Sequence, residues 1–219
     1  LQKGLEINKV LNDRFLECGL LGSIGTVYKD LGQSEGALKS YEEALNIARE
    51  IGDRRGEGNH LGNIGTVYKD SSQYAEALKS YEEAFRIARE IGDKRGEGDN
   101  LGRLGTVYQI LGQNEESLKS YEGALGIAQK IGDKRSEGIH LGNLGNVYQS
   151  MGQNEEALKS HEEALRIARK IGYKSAEGDH LGNIGIIYRG LGQNEEALKS
   201  YEEALGIAQE IGDKGGEGR

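Results

Sequence analysis

One forty-residue phrase recurs five times in this chain. Asp53–Gly92, Asp93–Gly132, Asp133–Gly172 and Tyr173–Gly212 align without a gap, and Asp13–Gly52 is a more diverged copy. A fixed period of this length constrains the fold more than any other feature. Each copy is one supersecondary unit that cannot bury its apolar side alone, so neighbouring copies must stack and share a continuous core. The expected result is a solenoid, with function spread along a surface built by stacking.

Within a copy the apolar residues recur at helical steps. In Asp53–Gly92 the first set is Leu61, Ile64, Val67 and Tyr68, and the second is Leu78, Tyr81, Ala84, Phe85, Ala88 and Ile91. Steps of three and four place each set on one face of a helix. The absence of proline from all 219 residues agrees with that reading. Two helices per copy follow, and the stops are explicit. Gly32, Gly112, Gly152 and Gly192 stand where a left-handed residue ends the first helix, and Gly52 and its counterparts end the second. Ser34, Asn114, Asn154 and Asn194 are expected to cap the second helix, and Asp53 the first helix of its copy. The second copy has Ser71-Ser72 in place of Leu-Gly, so a serine is expected in the left-handed position, at about 1 kcal/mol. That turn is expected to be the least firmly fixed. Gly25, Gly65, Gly105, Gly145 and Gly185 fall mid-helix, where glycine is unfavourable by about 1 kcal/mol against alanine. Close helix–helix approach is the expected compensation, with Ala37, Ala44 and their counterparts on the facing helix.

The chain begins and stops inside units. Residues 1–12 align with the second half of a copy, Leu5, Ile7 and Leu11 falling where Leu45, Ile47 and Ile51 fall, and residues 213–219 align with the start of another. A single array is therefore expected over 1–219. It comprises a second helix of a partial repeat at 1–12, full repeats at 13–52, 53–92, 93–132, 133–172 and 173–212, and the start of a further repeat at 213–219. The chain reads as a segment of a longer array, with apolar helix faces expected at both ends.

These signature positions resemble the tetratricopeptide repeat: Leu61, Ile64, Gly65, Tyr68, Ala77, Tyr81 and Ala84 fall in its pattern. Leu61 stands where that family usually has tryptophan. Arg89 stands in place of the terminal proline and the helix runs on to Ile91, which lengthens the period to forty from about 34. The longer form is similar to repeats of Pins/LGN-type polarity scaffolds, kinesin light chain and some bacterial regulators. The resemblance implies an all-α, right-handed superhelix of five helix-turn-helix repeats plus a partial N-terminal one, with first helices lining a concave groove. It also implies a peptide-binding face. The candidate residues are Asn59, Asn63 and Thr66; Asp99, Arg103 and Thr106; Asn143 and Asn146; and Asn183 and Arg189. Lys69, Asp70, Gln109, Ile139, Gln149, Asp179 and Ile186 share that face.

Asn63, Asn143 and Asn183 form a ladder whose amides offer both donor and acceptor to a peptide main chain. Simple solvated polar residues on an exposed face would look the same. Arg103 interrupts the ladder and favours a ligand carboxylate. Arg55, Arg95 and Arg135 form a second strip suited to an acidic segment, or to pairing with Glu57, Glu97 and Glu137. Specificity is expected from the departures Arg103, Ile110, Ile139, Ile186 and Arg189.

Other functions are disfavoured. Net charge is −8, from 28 basic and 36 acidic residues mixed along every copy. No basic block exists to bind nucleic acid. No apolar run approaches the ~20 residues that span a bilayer. The glycines Gly56, Gly58, Gly62 and Gly65 do not have phosphate-loop spacing and follow no strand. His60, His140 and His180 recur one unit apart, too far to share a metal, and packing is the expected role. His161 replaces a core tyrosine. Cys18, the single cysteine, reads as a small buried residue and fits a reducing, intracellular and cytoplasmic setting. No nucleophile–base pair occurs within a copy, so no enzyme activity, metal or cofactor is expected. The reading is a non-enzymatic scaffold binding a protein or peptide, with an acidic ligand segment matching the arginine strip. Two alternatives are end-to-end self-association through the uncapped ends and a sensor region of a larger protein.

Overall fold

The computed structural model describes the backbone of residues 2–216 and the side chains of residues 13–212. Ten helices and no strand occur among the described residues: α1 (Gln2–Asp30), α2 (Ser34–Ile51), α3 (Arg54–Asp70), α4 (Tyr74–Glu90), α5 (Lys94–Ile110), α6 (Asn114–Ile131), α7 (Lys134–Ser150), α8 (Asn154–Ile171), α9 (Lys174–Gly190) and α10 (Asn194–Gly216). Consecutive helices pack as pairs, as the repeat demands. Two compact units divide the chain, Leu1–Val107 and Tyr108–Arg219, with the boundary inside α5.

The core of the first unit is made by three consecutive helices. Tyr41 and Leu45 of α2, Leu61, Ile64 and Val67 of α3, and Ala84 and Ile87 of α4 form one buried cluster. In the second unit Leu165 of α8, Leu181 and Ile184 of α9, and Ile207 of α10 repeat it. The apolar stripes of α2–α4 and of α8–α10 are thus shared between neighbouring copies.

The stops behave as expected where glycine supplies them. Gly52 takes φ 72°, and Asp53 N–H then reaches back to Ala48 O at 2.8 Å. Asp53 Oδ1 accepts from Gly56 N–H at 2.9 Å, capping α3. Ser72 does sit at φ 59°, the one non-glycine with positive φ among the described residues. Its turn closes as the glycine turns do, with Gln73 N–H on Tyr68 O at 2.8 Å.

The expected caps Ser34, Asn114 and Asn154 are misplaced by one residue. Each is already helical, and Gln33, Gln113 and Gln153 hold the cap position without a side-chain bond. The cause is the preceding turn. Gln33 N–H closes it on Tyr28 O, while Gln33 O already accepts from Ala37 N–H at 3.0 Å.

Both ends of the described chain depart from the repeat. Residues 2–12 are not a separate helix: α1 runs unbroken from Gln2 to Asp30. Asn12 stands where the inner copies place their turn glycines, so the residue that enforces the stop is missing. Likewise α10 passes through Gly212 to Gly216 with no turn. The side chains of Leu5, Ile7 and Leu11 lie outside the described residues.

The mid-helix glycines do mark close approach, but to rings rather than to alanines. A methyl group on Gly65 would lie 2.7 Å from the Tyr81 ring, on Gly25 2.8 Å from Tyr41, on Gly185 2.7 Å from Tyr201, and on Gly145 2.6 Å from His161. The pairs α1–α2, α3–α4, α7–α8 and α9–α10 are therefore each closed by an aromatic ring packed against a glycine.

Buried carboxylates tie successive copies together. Glu57 accepts from Arg49 Nε at 2.9 Å and also from Arg54. Burial pushes its carboxyl up, but those two guanidinium groups outweigh it and hold it below the usual range. Glu177 repeats the arrangement with Arg169 at 3.1 Å and Lys174 at 3.2 Å. The pairing partners of Glu57 are thus Arg49 and Arg54 rather than the expected Arg55.

Candidate functional site

In the second unit α7, α8 and α9 enclose a pocket of about 240 Å³. Its wall is made from expected groove residues: Asn143, Asn146, Arg135 and Ile139 come from α7, and Asp179 and Asn183 from α9. The floor is Ala164, Ile167 and Ala168 of α8. Small residues leave the space. Gly138 lies on Ile167, Gly142 faces His180, and neither projects a side chain inward. The amides of Asn143, Asn146 and Asn183 make no side-chain hydrogen bond among the described residues. At the rim the Arg135 guanidinium stacks 4.8 Å from the Tyr173 ring centre and donates to its hydroxyl at 3.4 Å. Lys134 is held by Glu137 at 2.6 Å.

In the first unit the matching faces of α3 and α5 are arranged differently. Arg103 Nη1 donates to Asn100 Oδ1 at 3.3 Å, and its Cζ lies 5.8 Å from the Tyr81 ring centre. The guanidinium rests on Gly62, where an added methyl would collide with Nη1. Arg103 is therefore engaged within the chain. Thr66 is also used internally: its hydroxyl donates to Gly62 O at 2.9 Å and accepts from Tyr81 at 3.1 Å. Thr106 donates to Gly102 O at 3.0 Å. Asn63 is half-buried, and Asn59 and Asp99 are exposed. Arg55 pairs with Asp93 at 3.4 Å while staying exposed, and Arg95 is exposed. Arg189 is exposed on α9, outside the pocket wall.

Beneath these faces lies a polar layer that single-copy reading missed. The Tyr41 hydroxyl meets Thr26 at 2.9 Å, and Tyr121 donates to Gln109 at 3.3 Å. His161 takes the tyrosine place, fully buried, and neither ring nitrogen has a hydrogen-bond partner among the described residues. Its ring centre is 5.7 Å from that of His180. Burial, with a smaller contribution from His180, pushes His161 down to about 4. Burial also lowers His60, His140 and His180. Cys18 is buried as expected, but it has a histidine neighbour: its Sγ is 3.3 Å from His60 Nε2 and donates to Ala44 O at 3.3 Å. The two residues are 42 positions apart, so no search within a copy would pair them. Burial raises this thiol, which argues against a ready nucleophile.

The sequence model of the tetratricopeptide repeat matches residues 16–90, 98–170 and 137–210. The chain belongs to the tetratricopeptide repeat family. No curated protein matches this tetratricopeptide array in sequence. Solved structures match its fold. BtubC (BKLC) from P. vanneervenii has a TM-score of 0.84 at 20% identity, covering 94% of this chain and 87% of its own. Aspartyl phosphate phosphatase F from Bacillus subtilis has a TM-score of 0.84 at 19% identity, over 95% of this chain and 55% of its own. The STAND protein with a tetratricopeptide repeat sensor from Pyrococcus horikoshii has a TM-score of 0.81 at 25% identity, over 95% of this chain and 34% of its own. Among the described residues no helix of the tetratricopeptide array is long and apolar enough to cross a membrane.

Proposed function

We propose that this chain is a non-enzymatic scaffold that holds a peptide segment of a partner protein against the first helices of its repeats. The observation that carries the reading is the pocket of α7–α9, where Asn143, Asn146 and Asn183 converge on one space over an apolar floor. Amides with free donors and acceptors suit a main chain, and Ile139 and Ile167 supply the apolar contact that small sites need. A Rap protein of the same fold was solved in complex with the competence and sporulation factor, at a TM-score of 0.76 and 18% identity, which supports a ligand-binding use of such arrays. Arg55 and Arg135 are each partly engaged, by Asp93 and Tyr173, which reduces the charge they offer an acidic ligand segment.

The test uses peptides selected on the chain from a random linear display library. The double variant Asn143→Ala, Asn183→Ala should bind them about tenfold more weakly or worse, two hydrogen bonds being lost at about 1 kcal/mol each. Its Tm should stay within a few degrees, because both positions are only half-buried. Unchanged anisotropy titrations would remove the asparagines from the site.

Self-association is a second reading with an observation of its own. Ile24 of α1 is 46% exposed where Ile64 is 5%, and Leu205 of α10 is 58% exposed where Leu165 is 7%. Leu20, Val27 and Leu31 widen the first face, and Leu198 the second. These are the two kinds of surface that meet between inner copies, so a second chain supplies a matching partner for either.

A further inference from the structure

Cys18 of α1 lies in a cage made by Ala44, Ile47, Ala48 and Ile51 of α2. Its Sγ donates to Ala44 O at 3.3 Å and lies 3.3 Å from Nε2 of His60 on α3. A thiol has one hydrogen, and Ala44 O takes it. The contact with His60 therefore needs a hydrogen on Nε2, which leaves Nδ1 as the bare nitrogen, buried and without a partner. Three repeats further along, Ala164, Ile167, Ala168 and Ile171 of α8 and His180 of α9 hold the equivalent positions, and all of them line the pocket of about 240 Å³. The His180 ring is seated as the His60 ring is. Its Cε1 lies 2.6 Å from the methyl position on Gly142, against 2.8 Å for His60 on Gly22. His180 is 8% exposed, and its Nδ1 is again buried without a partner. Its Nε2 makes no hydrogen bond among the described residues. The one difference lies opposite: Gly138, which also lines the pocket, stands in the place of Cys18. A donor at His180 Nε2 and an acceptor at Ala164 O thus face a space into which the chain sends no side chain. The junction of α3 with α5 lacks this pair. There Gly58 stands in the place of Cys18, but Asn100 replaces the histidine and donates to Gly96 O of its own helix at 2.9 Å.

We propose that the inner end of the α7–α9 pocket is a slot for a hydroxyl or thiol side chain of a bound peptide, which donates its hydrogen to Ala164 O and accepts from His180 Nε2. The proposal rests on the groove reading above and names the side chain that anchors there. The two protein groups select it by what each leaves unanswered. A hydroxyl or thiol is both donor and acceptor at a single heavy atom. An ammonium has no acceptor for the Nε2 hydrogen, an ionised carboxylate has no hydrogen for the carbonyl, and a methyl answers neither. Ile167 and Ile171 would cover the carbon that bears the group, as Ile47 and Ile51 lie beside Cys18. Asn143 and Asn183, on the wall of the same pocket, are left for the main chain of that peptide.

Three capped residues test it: the N-acetyl, N-methylamide derivatives of cysteine, serine and 2-aminobutyrate. Aminobutyrate keeps the shape of cysteine and puts a methyl in place of the thiol. Each would be titrated into the whole chain under reducing conditions, with backbone amide signals and the His180 ring nitrogens followed together. The cysteine and serine derivatives are expected to shift Gly138, Gly142 and Ala168 and to move the Nε2 resonance of His180, and their ranking tells sulfur from oxygen. Aminobutyrate should bind about tenfold more weakly, as loss of the hydrogen bonds implies. Gly138→Cys supplies the thiol from within and should abolish those shifts. The added carbon would lie 3.4 Å from Ile167 Cγ2, an ordinary contact, and circular dichroism confirms the fold. Gly138→Ala adds the same carbon without sulfur and should keep the cysteine and serine responses. Equal binding of all three derivatives would remove the slot. So would a display-selected peptide that binds in the groove while neither the cysteine nor the serine derivative shifts the pocket, and that result would leave the groove reading standing. Undiminished binding to a folded Gly138→Cys chain would overturn the proposal outright.

Discussion

Gly65→Ala should destabilise the chain by about 1 kcal/mol, whereas Gly182→Ala should stabilise it by about 1 kcal/mol. Two effects compete at a mid-helix glycine. Alanine improves helix propensity by about 1 kcal/mol, and overpacking a filled space is unfavourable by about 1–3 kcal/mol. At Gly65 the added methyl lies 2.7 Å from Tyr81 Cε1 and 2.8 Å from Cδ1, and the ring is 1% exposed. The ring cannot swing away without breaking its bond to Thr66, so packing wins. At Gly182 nothing lies within 4 Å, and propensity is left alone. Urea unfolding of both variants reads the two signs. A gain at Gly65 would mean that ring-on-glycine contact is not what closes the helix pairs.

Acid should unfold this chain earlier than its carboxylates require. His161 is held near 4 in the folded state, against an ordinary value of 6.5. Its folded form is neutral and its unfolded form takes up a proton once pH drops below about 6.5. Unfolding therefore absorbs a proton between about 6.5 and about 4, and stability falls as pH falls through that window. A displacement of this size corresponds to about 3 kcal/mol, order of magnitude. The lowered values at His60, His140 and His180 act with the same sign. His161→Tyr places the residue that the equivalent sites Tyr41, Tyr81, Tyr121 and Tyr201 already carry. That variant should flatten the pH dependence by about 2–3 kcal/mol between pH about 7 and pH about 4.5. An unaltered slope in denaturation series at the two pH values would show that His161 is charged or solvated in the native state.

Most of the fold could be read from the residues because each copy states it again. Helix faces, glycine stops and the Asp53 cap are local properties, and five near-identical copies average out the ambiguity of any one. The departures occur where local rules met a competing bond. Asn114 and Asn154 look like caps, but the turn closed by the preceding glutamine sets the helical register first. Residues 2–12 match a second helix by alignment, yet Asn12 lacks the freedom of Gly52, and α1 runs straight through.

The site was legible only in part, for a different reason. Asn143, Asn146 and Asn183 could be placed on one face by counting residues. What Arg103 does could not, since its partners Gly62, Asn100 and Tyr81 come from two copies. On α7 and α9 the His180 ring lies over Gly142 in the corresponding place, an exchange that becomes visible only when successive helices are set side by side. Cys18 and His60 were hidden in the same way. In a repeat protein the informative contacts lie between copies, and a reading that treats each copy alone passes over them.

The most direct test of the central claim is a backbone amide map of the chain with a display-selected peptide, compared with a dilution series of the chain alone. Binding in the groove predicts peptide-induced shifts concentrated at Gly142, Asn143, Asn146, Asp179 and Asn183, with none on the outward face of α8 around Glu163 and Arg166. Shifts confined to Ile24 and Val27 of α1 and Leu205 of α10, growing with chain concentration and indifferent to peptide, would contradict it and assign the array to self-assembly.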